Sequence, residues 1–252
     1  MAAVSRTSLT RAAGTREALI AAALKIFGRD GYHAAGTRVI AREARVNQAL
    51  IAYHFGGKQG LYLATFEHIA TQVMSRQHAA VASIEAVLAL PDDTADVGER
   101  QERYLPPLLR YIDGLAAMLT TRESTAWAQL ILREQQAPTA AFAKLYDGFM
   151  GRVMELLARL LQRLHGTDAD MRLQVVTCVG QALVFRAARA AVLRLMGWKE
   201  IGDAERAAIQ RQIRENLIAP LTGPQRIAAA PAARRRPARQ RRALAPSRRV
   251  ER

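Results

Sequence analysis

From residue 15 to residue 218 the apolar positions of this chain recur with helical spacing, and no stretch alternates with the period of a strand. In TREALIAAALKIFGRDGY, Leu19, Ala22, Ala23, Ile26 and Phe27 fall at i, i+3, i+4, i+7 and i+8, one stripe of an amphipathic helix. Thr15 followed by Glu17 gives that helix an acidic first turn, and Gly31 after Arg29-Asp30 marks its end. Residues 37–61, TRVIAREARVNQALIAYHFGGKQGL, read as two short helices, a tight turn and the start of a third. Ile40, Ala41 and Ala44 share one face of the first; Ile51 and Phe55, four apart, point inward from the second with Val46. Asn47 suits the N-cap, since its side-chain oxygen can accept from an amide two or three residues on, so the second helix starts near Gln48. The pattern predicts a three-helix module over residues 15–57 with a helix-turn-helix at its outer face.

A second helix of this kind enters the major groove with its N-terminal residues against base edges. Here those are Gln48, Ala49 and Leu50. Gln48 can pair bidentately with adenine, and Ala49 or Leu50 can touch a thymine methyl. Tyr53, His54 and Lys58 are placed to grip phosphates, which fix register and not sequence.

Beyond the module, residues 58–90 predict a long connecting helix and PDDTADVGER a polar break at 91–100. Further helices are expected at 101–120, disturbed by Pro106-Pro107, and at 122–136, 139–165, 168–196 and 203–218, punctuated by Pro138, Gly166 and Gly197. The 168–196 helix is apolar on most sides and must be covered; the same helix of a second subunit would cover it in a two-fold four-helix interface. One module contacts too little DNA for tight specific binding, so a homodimer on a palindrome is expected. The fold class is therefore all-α: a three-helix DNA-binding module followed by a larger helical ligand-binding and dimerisation domain.

Composition sharpens this picture in three places. The net charge of +15 is mostly terminal: residues 223–252 hold ten Arg and one Glu, leaving +6 on residues 1–222. That tail, with four prolines and no periodicity, is expected to be disordered; it either adds sequence-independent phosphate affinity or is a dispensable extension. The N-terminal arm, with Arg6 and Arg11, permits the same argument more weakly. The single cysteine, Cys178, excludes an intrachain disulfide and fits a reducing cytoplasm, with an inert buried thiol weighed against a redox sensor. No apolar run approaches the roughly 20 residues of a membrane span, and the N-terminus lacks an apolar leader core, so a cytoplasmic protein without a membrane partner is expected.

Two readings compete for the charged residues in the apolar helices. Arg133, Gln181, Arg186 and Arg189, with Trp127, Phe142, Tyr146 and Phe185 as walls, would line a pocket for an anionic or polar small-molecule effector. Alternatively Arg186 pairs internally with Glu134 and the aromatics are ordinary core. Catalysis finds no support: there is no phosphate loop, no nucleophile elbow and no Cys/His set with zinc spacing, so no enzyme activity, cofactor or metal is expected. GGKQG at 56–60 follows a helix and reads as a turn with Lys58 at a phosphate.

The motif A-x-x-I-F-x-x-x-G-Y (Ala23, Ile26-Phe27, Gly31-Tyr32), then Thr37, Ile40-Ala41, Ala44, and Tyr53-His54-Phe55 with Lys58, resembles the TetR family of bacterial regulators over Thr15 to Leu63. NQALIAYHFGGKQGLYLA, ILREQQAPT and GQALVFRAARAAVLRLMGW are similar to its CecR-like subgroup. The resemblance implies that Thr37 and Arg38 contact backbone or a base edge, and that Gln48, Ala49, Leu50, Tyr53, His54 and Lys58 face DNA. It also implies the last two helices as a dimer interface. Ala52 stands where the family often has an aromatic phosphate contact. Arg45 stands where a turn glycine is common, and it would offset the strain of positive φ by reaching a phosphate.

The resulting division is a disordered basic arm at 1–14, the DNA-binding domain at 15–63, an effector-binding and dimerisation domain at 64–222, and the disordered Arg-rich tail at 223–252. The expected activity is effector-responsive repression from a palindromic operator in double-stranded DNA. A non-specific architectural binder driven by the tail, and a helical ligand-binding protein with a degenerate module, are the alternatives.

Overall fold

The computed structural model describes residues 6–222, with side chains from residue 13 onward. The first five residues of the arm and the Arg-rich tail lie outside the described residues. Among the described residues every regular element is helical.

Helix α1 (Arg6–Ala34) begins ahead of the Thr15 start read from the sequence, so residues 6–14 of the arm expected to be disordered are helical, in a stretch where Leu9, Arg11, Ala12 and Ala13 all favour helix. At Gly31 (φ 79°, ψ 172°), where an end was expected, it kinks and runs on to Ala34. Helices α2 (Thr37–Glu43) and α3 (Ala49–Phe55) form the helix-turn-helix. Leu19, Ala23, Phe27, Ile40 and Ile51 close its core, all essentially inaccessible. Phe27 meets Tyr62 edge-on at 5.0 Å between ring centroids, joining the module to α4 (Lys58–Leu88).

At 31 residues, α4 serves both parts of the molecule: Leu61, Tyr62 and Phe66 complete the module, while Ile69, Val73, Val81, Ile84 and Leu88 are buried in the larger domain. Helix α5 (Val97–Thr120) starts four residues before the expected 101, because the Asp96 side chain accepts from the Glu99 amide at 2.9 Å and caps it. It stays one helix through Pro106 and Pro107, so the expected disturbance does not divide it. It is the central post of the domain, packed on α4, α8 (Gly151–His165), α9 (Arg172–Ala187) and α11 (Asp203–Thr222), with Tyr104, Leu108, Ile112 and Ala116 buried.

Two expected long helices are divided. The 139–165 segment contains α7 (Ala140–Leu145), a π-helical turn at Tyr146–Met150, and α8. The 168–196 segment breaks at Ala188 (φ −105°, ψ 26°) into α9 and α10 (Arg189–Met196), bent by 78°. No single helix among the described residues is long and apolar enough to cross a membrane. Helix α6 (Thr125–Gln136) lies between the two parts and packs on α1.

Candidate nucleic-acid interface and the dispersed effector residues

The turn between α2 and α3 is built from backbone hydrogen bonds. The Val46 amide reaches back to the Ala41 carbonyl (3.0 Å) and the Arg45 amide to Arg42 (3.1 Å), a Schellman closure that needs a left-handed residue at position 45. Arg45 supplies it at φ 57°, the one non-glycine residue with positive φ among those described, at a cost of about 1 kcal/mol. Its side chain is exposed.

Asn47 caps α3 as its type suggests: Oδ1 accepts from the Ala49 amide at 2.8 Å, and Gln48 already has helical angles (φ −56°, ψ −34°). The Gln48 amide donates through Nε2 to the Thr37 hydroxyl at 2.9 Å, tying the first residues of α2 and α3 together. Arg38, Gln48 and Ala49 are exposed and Tyr53 is 80 % exposed, edge-on to His54 at 5.0 Å. Leu50 is half-buried against the core, so it shares its surface between packing and the outer face.

Lys58 takes a different position from the phosphate grip expected of it. Its ammonium donates to the His33 carbonyl at 3.1 Å and stands 4.8 Å from the centre of the Tyr32 ring, closing the end of α1. After α3, the turn into α4 is tight: a Cβ at Gly60 would lie 1.8 Å from the Phe55 carbonyl oxygen. Only glycine fits there.

The eight expected effector residues do not meet at one place. Arg133 reaches the DNA-binding module, donating to the carbonyls of Phe27 (3.0 Å) and Arg29 (3.3 Å). Trp127 is buried on α6. The Phe142 and Tyr146 rings lie 5.8 Å apart, tilted by 31°, around the π-helical turn, with Tyr146 exposed. Gln181 accepts from Asn216 at 3.1 Å, and Phe185 is half-buried.

The expected Arg186–Glu134 ion pair is absent, because each has nearer partners. Arg186, 7 % exposed, donates to the Thr125 hydroxyl (3.1 Å), the Thr121 carbonyl (2.5 Å) and the Ser124 hydroxyl (2.5 Å). Burial, and then repulsion from Arg189, lower its pKa from the ordinary arginine value. Glu134 accepts instead from the Tyr62 hydroxyl at 2.9 Å and the Thr139 amide at 2.8 Å. Burial and that carboxylate raise the Tyr62 pKa.

Clefts of about 490 Å³ (beside Glu85, Leu88, Arg152 and Leu156) and about 440 Å³ (beside Asp92, Arg100, Arg163 and Asp168) lie at the other end of the domain. Sequence reading missed both, and the second shows why. Its loops carry Asp92-Asp93 and Asp168 against three arginines, Arg100, Arg159 and Arg163, a pairing visible only once the loops meet. Among the described residues no three His, Cys, Asp or Glu are grouped to hold a metal.

A helix-turn-helix with an exposed recognition face, set on a helical domain, defines a DNA-binding transcriptional regulator. Known proteins give the same answer in finer terms. Residues 19–65 match the family described as bacterial regulatory proteins, tetR family, and residues 108–223 match the C-terminal domain of the HTH-type transcriptional dual regulator CecR. The CecR protein of Shigella flexneri is 31 % identical over 202 residues, covering 79 % of this chain and 87 % of that protein. The chain belongs to the TetR family and resembles its CecR members along both parts.

A shorter match, 34 % over 55 residues, covers 22 % of this chain and 26 % of the transcriptional repressor NicS of Pseudomonas putida. Among solved structures, the fatty acid degradation regulator FadR of Bacillus halodurans superposes with a TM-score of 0.54 at 19 % identity, over 84 % of this chain and 96 % of that one. A HlyIIR mutant superposes at 0.53 and 21 %, over 81 % and 96 %. At these identities the likeness is one of fold.

Proposed function

We propose that this regulator is a homodimeric repressor of the cytoplasm that reads a palindromic operator and leaves it when a small molecule binds the larger domain. The observation that carries the dimer is the outer face of α9 and α10. Leu173, Val176 and Val184 on α9, and Leu195 and Met196 on α10, are exposed, Leu195 by 86 %. Leu173, Val176 and Val184 follow one another at i, i+3 and i+11, a single stripe. A second copy related by a two-fold axis would cover it. Two modules on that axis would then meet half-sites about 34 Å apart.

Within each module, Thr37, Arg38, Arg45, Gln48, Ala49, Leu50, Tyr53 and His54 form the outer face. Gln48 and Ala49 read base edges; Arg38, Arg45 and Tyr53 hold phosphates. Lys58 supports this face from behind through the end of α1. An effector would favour a second arrangement of the dimer only by binding it more tightly than the DNA-bound one.

The test is a binding selection from random duplex DNA at physiological salt, with the full chain and with one ending at Thr222. A palindrome enriched by both forms is expected, together with reduced transcription in vitro from a promoter carrying it. Increased transcription would make the protein an activator at that promoter. No enriched sequence, with affinity lost on removing the tail, would replace this reading with the architectural one.

A further inference from the structure

Helix α6 is held at both ends by arginines that bond across to other parts of the molecule. It has 12 residues and is therefore about 18 Å long. At its N-terminal end, Arg186 of α9 gathers the Thr121 carbonyl and the Ser124 and Thr125 hydroxyls, where α5 ends and α6 begins. Ser124 is fully buried and Arg186 nearly so. The guanidinium has no carboxylate among these partners; a carbonyl at the negative end of α5 answers its charge. Such a buried fork has one geometry and resists sliding.

At the other end, Arg133 donates to the Phe27 and Arg29 carbonyls of α1, just before the Gly31 kink. The next residue, Glu134, is 3 % exposed and accepts from the Tyr62 hydroxyl of α4 and from Thr139. In the first turn of α6, beside the Arg186 cluster, the helix also touches α1 at the backbone. A Cβ on Gly28 of α1 would stand 2.9 Å from the Ala126 carbonyl oxygen and 3.1 Å from its Cα. There is no compliant layer of side chains at this crossing.

We infer that α6 is a rigid strut between α9 and the DNA-binding module, and that Arg186, Arg133 and Glu134 are positioning residues for operator reading. None of the Arg186 hydrogen bonds reaches the module, yet the attitude of α1, and with it of α2 and α3, depends on Arg186 through α6. Because α9 also carries the apolar stripe, the strut ties the posture of the recognition helix to the face on which the second copy sits. This rests on the operator-reading dimer proposed above and adds the residues that set its geometry.

Two measurements on the full-length protein test it. In a double-mutant cycle on the selected operator duplex, Arg186→Gln and Arg133→Gln are each expected to weaken binding about tenfold by releasing a pre-set geometry. The double variant should be no weaker than the worse single, since both cut one line of contact. Residues so far apart with no shared partner otherwise multiply their effects. Multiplied losses, or an unchanged affinity in either single variant, would overturn the strut.

The second measurement needs no DNA: amide hydrogen exchange of residues 27–34 in the free protein should quicken in Arg186→Gln. Quickening confined to the α5–α6 corner would reduce Arg186 to local packing. If the native chain enriches no operator, the repressor reading fails while the exchange result still decides the strut. Arg186→Lys, which keeps the charge but serves fewer acceptors, carries both measurements should the glutamine variant not fold, and Tyr62→Phe removes one hydroxyl from the Glu134 end with the ring retained.

Discussion

Gln48 and Thr37, eleven residues apart and on different helices, share one hydrogen bond in which the glutamine amide donates to the threonine hydroxyl at 2.9 Å. The bond leaves the second amide N–H, the amide oxygen and the threonine proton free. An adenine edge needs one donor and one acceptor from Gln48, and a phosphate needs one donor from Thr37. The pair is thus oriented before DNA arrives. Gln48→Ala should lose about 1–3 kcal/mol of discrimination at one base pair of each half-site. Thr37→Val should weaken binding to all sequences and, by releasing Gln48, relax the preference at that same base pair in part. Measured preferences that do not change in Gln48→Ala would remove it from base reading.

Arg45 holds the left-handed corner of the turn. Arg45→Gly should raise thermal stability by up to about 1 kcal/mol as the strain is relieved. The same variant should bind DNA more weakly and with a salt slope shallower by about one. Greater stability with an unchanged slope would show that the side chain does not reach a phosphate.

The stripe on α9 supplies a third expectation. Val176→Glu places a charge at an exposed position that touches no core, so the folded chain should persist while the dimer dissociates. Sedimentation would report the monomer. A dimer that survives the change would place the interface elsewhere.

His165 half-buries its ring at the end of α8, with Nε2 3.1 Å from the Gln174 amide, and burial lowers its pKa below the ordinary 6.5. The unfolded chain therefore takes up this proton first as the solution is acidified. The contribution of His165 is complete above pH 6.5 and is lost as the pH falls through the lowered value. Between pH 7 and 5 the unfolding temperature should drop less in His165→Gln than in the native protein. Equal drops would assign the acid sensitivity to other groups.

Cys178 is buried on α9 and its thiol is pushed up to about 11. At pH 8 the folded protein should resist alkylation for as long as it resists unfolding. Fast labelling without loss of structure would return it to the class of redox sensors.

The DNA-binding module was legible because each of its features is local. A capping asparagine acts two residues away and a stripe repeats within nine, so Asn47 and Phe27 could each be read from near neighbours, whereas the left-handed corner at Arg45 was legible only through the family resemblance. The long-range partners were not. Arg133 and Glu134 stand side by side in an apolar helix, and no pattern says that one reaches α1 and the other α4. Their partners, Phe27 and Tyr62, are more than 70 positions away. The division of the 168–196 segment was hidden for another reason: Arg-Ala-Ala-Arg at 186–189 has full helix propensity, so nothing local marks the break at Ala188.

The close approach of Gly60 to the Phe55 carbonyl leaves no slack between the recognition helix and α4. The two form a single arm, about 46 Å long for the 31 residues of α4. On such an arm a tilt of about 5° at Leu88 becomes about 4 Å at the recognition helix, more than the rise of one base pair. In the proposed dimer, half-site registry would therefore be sensitive to very small displacements at the far end of the molecule.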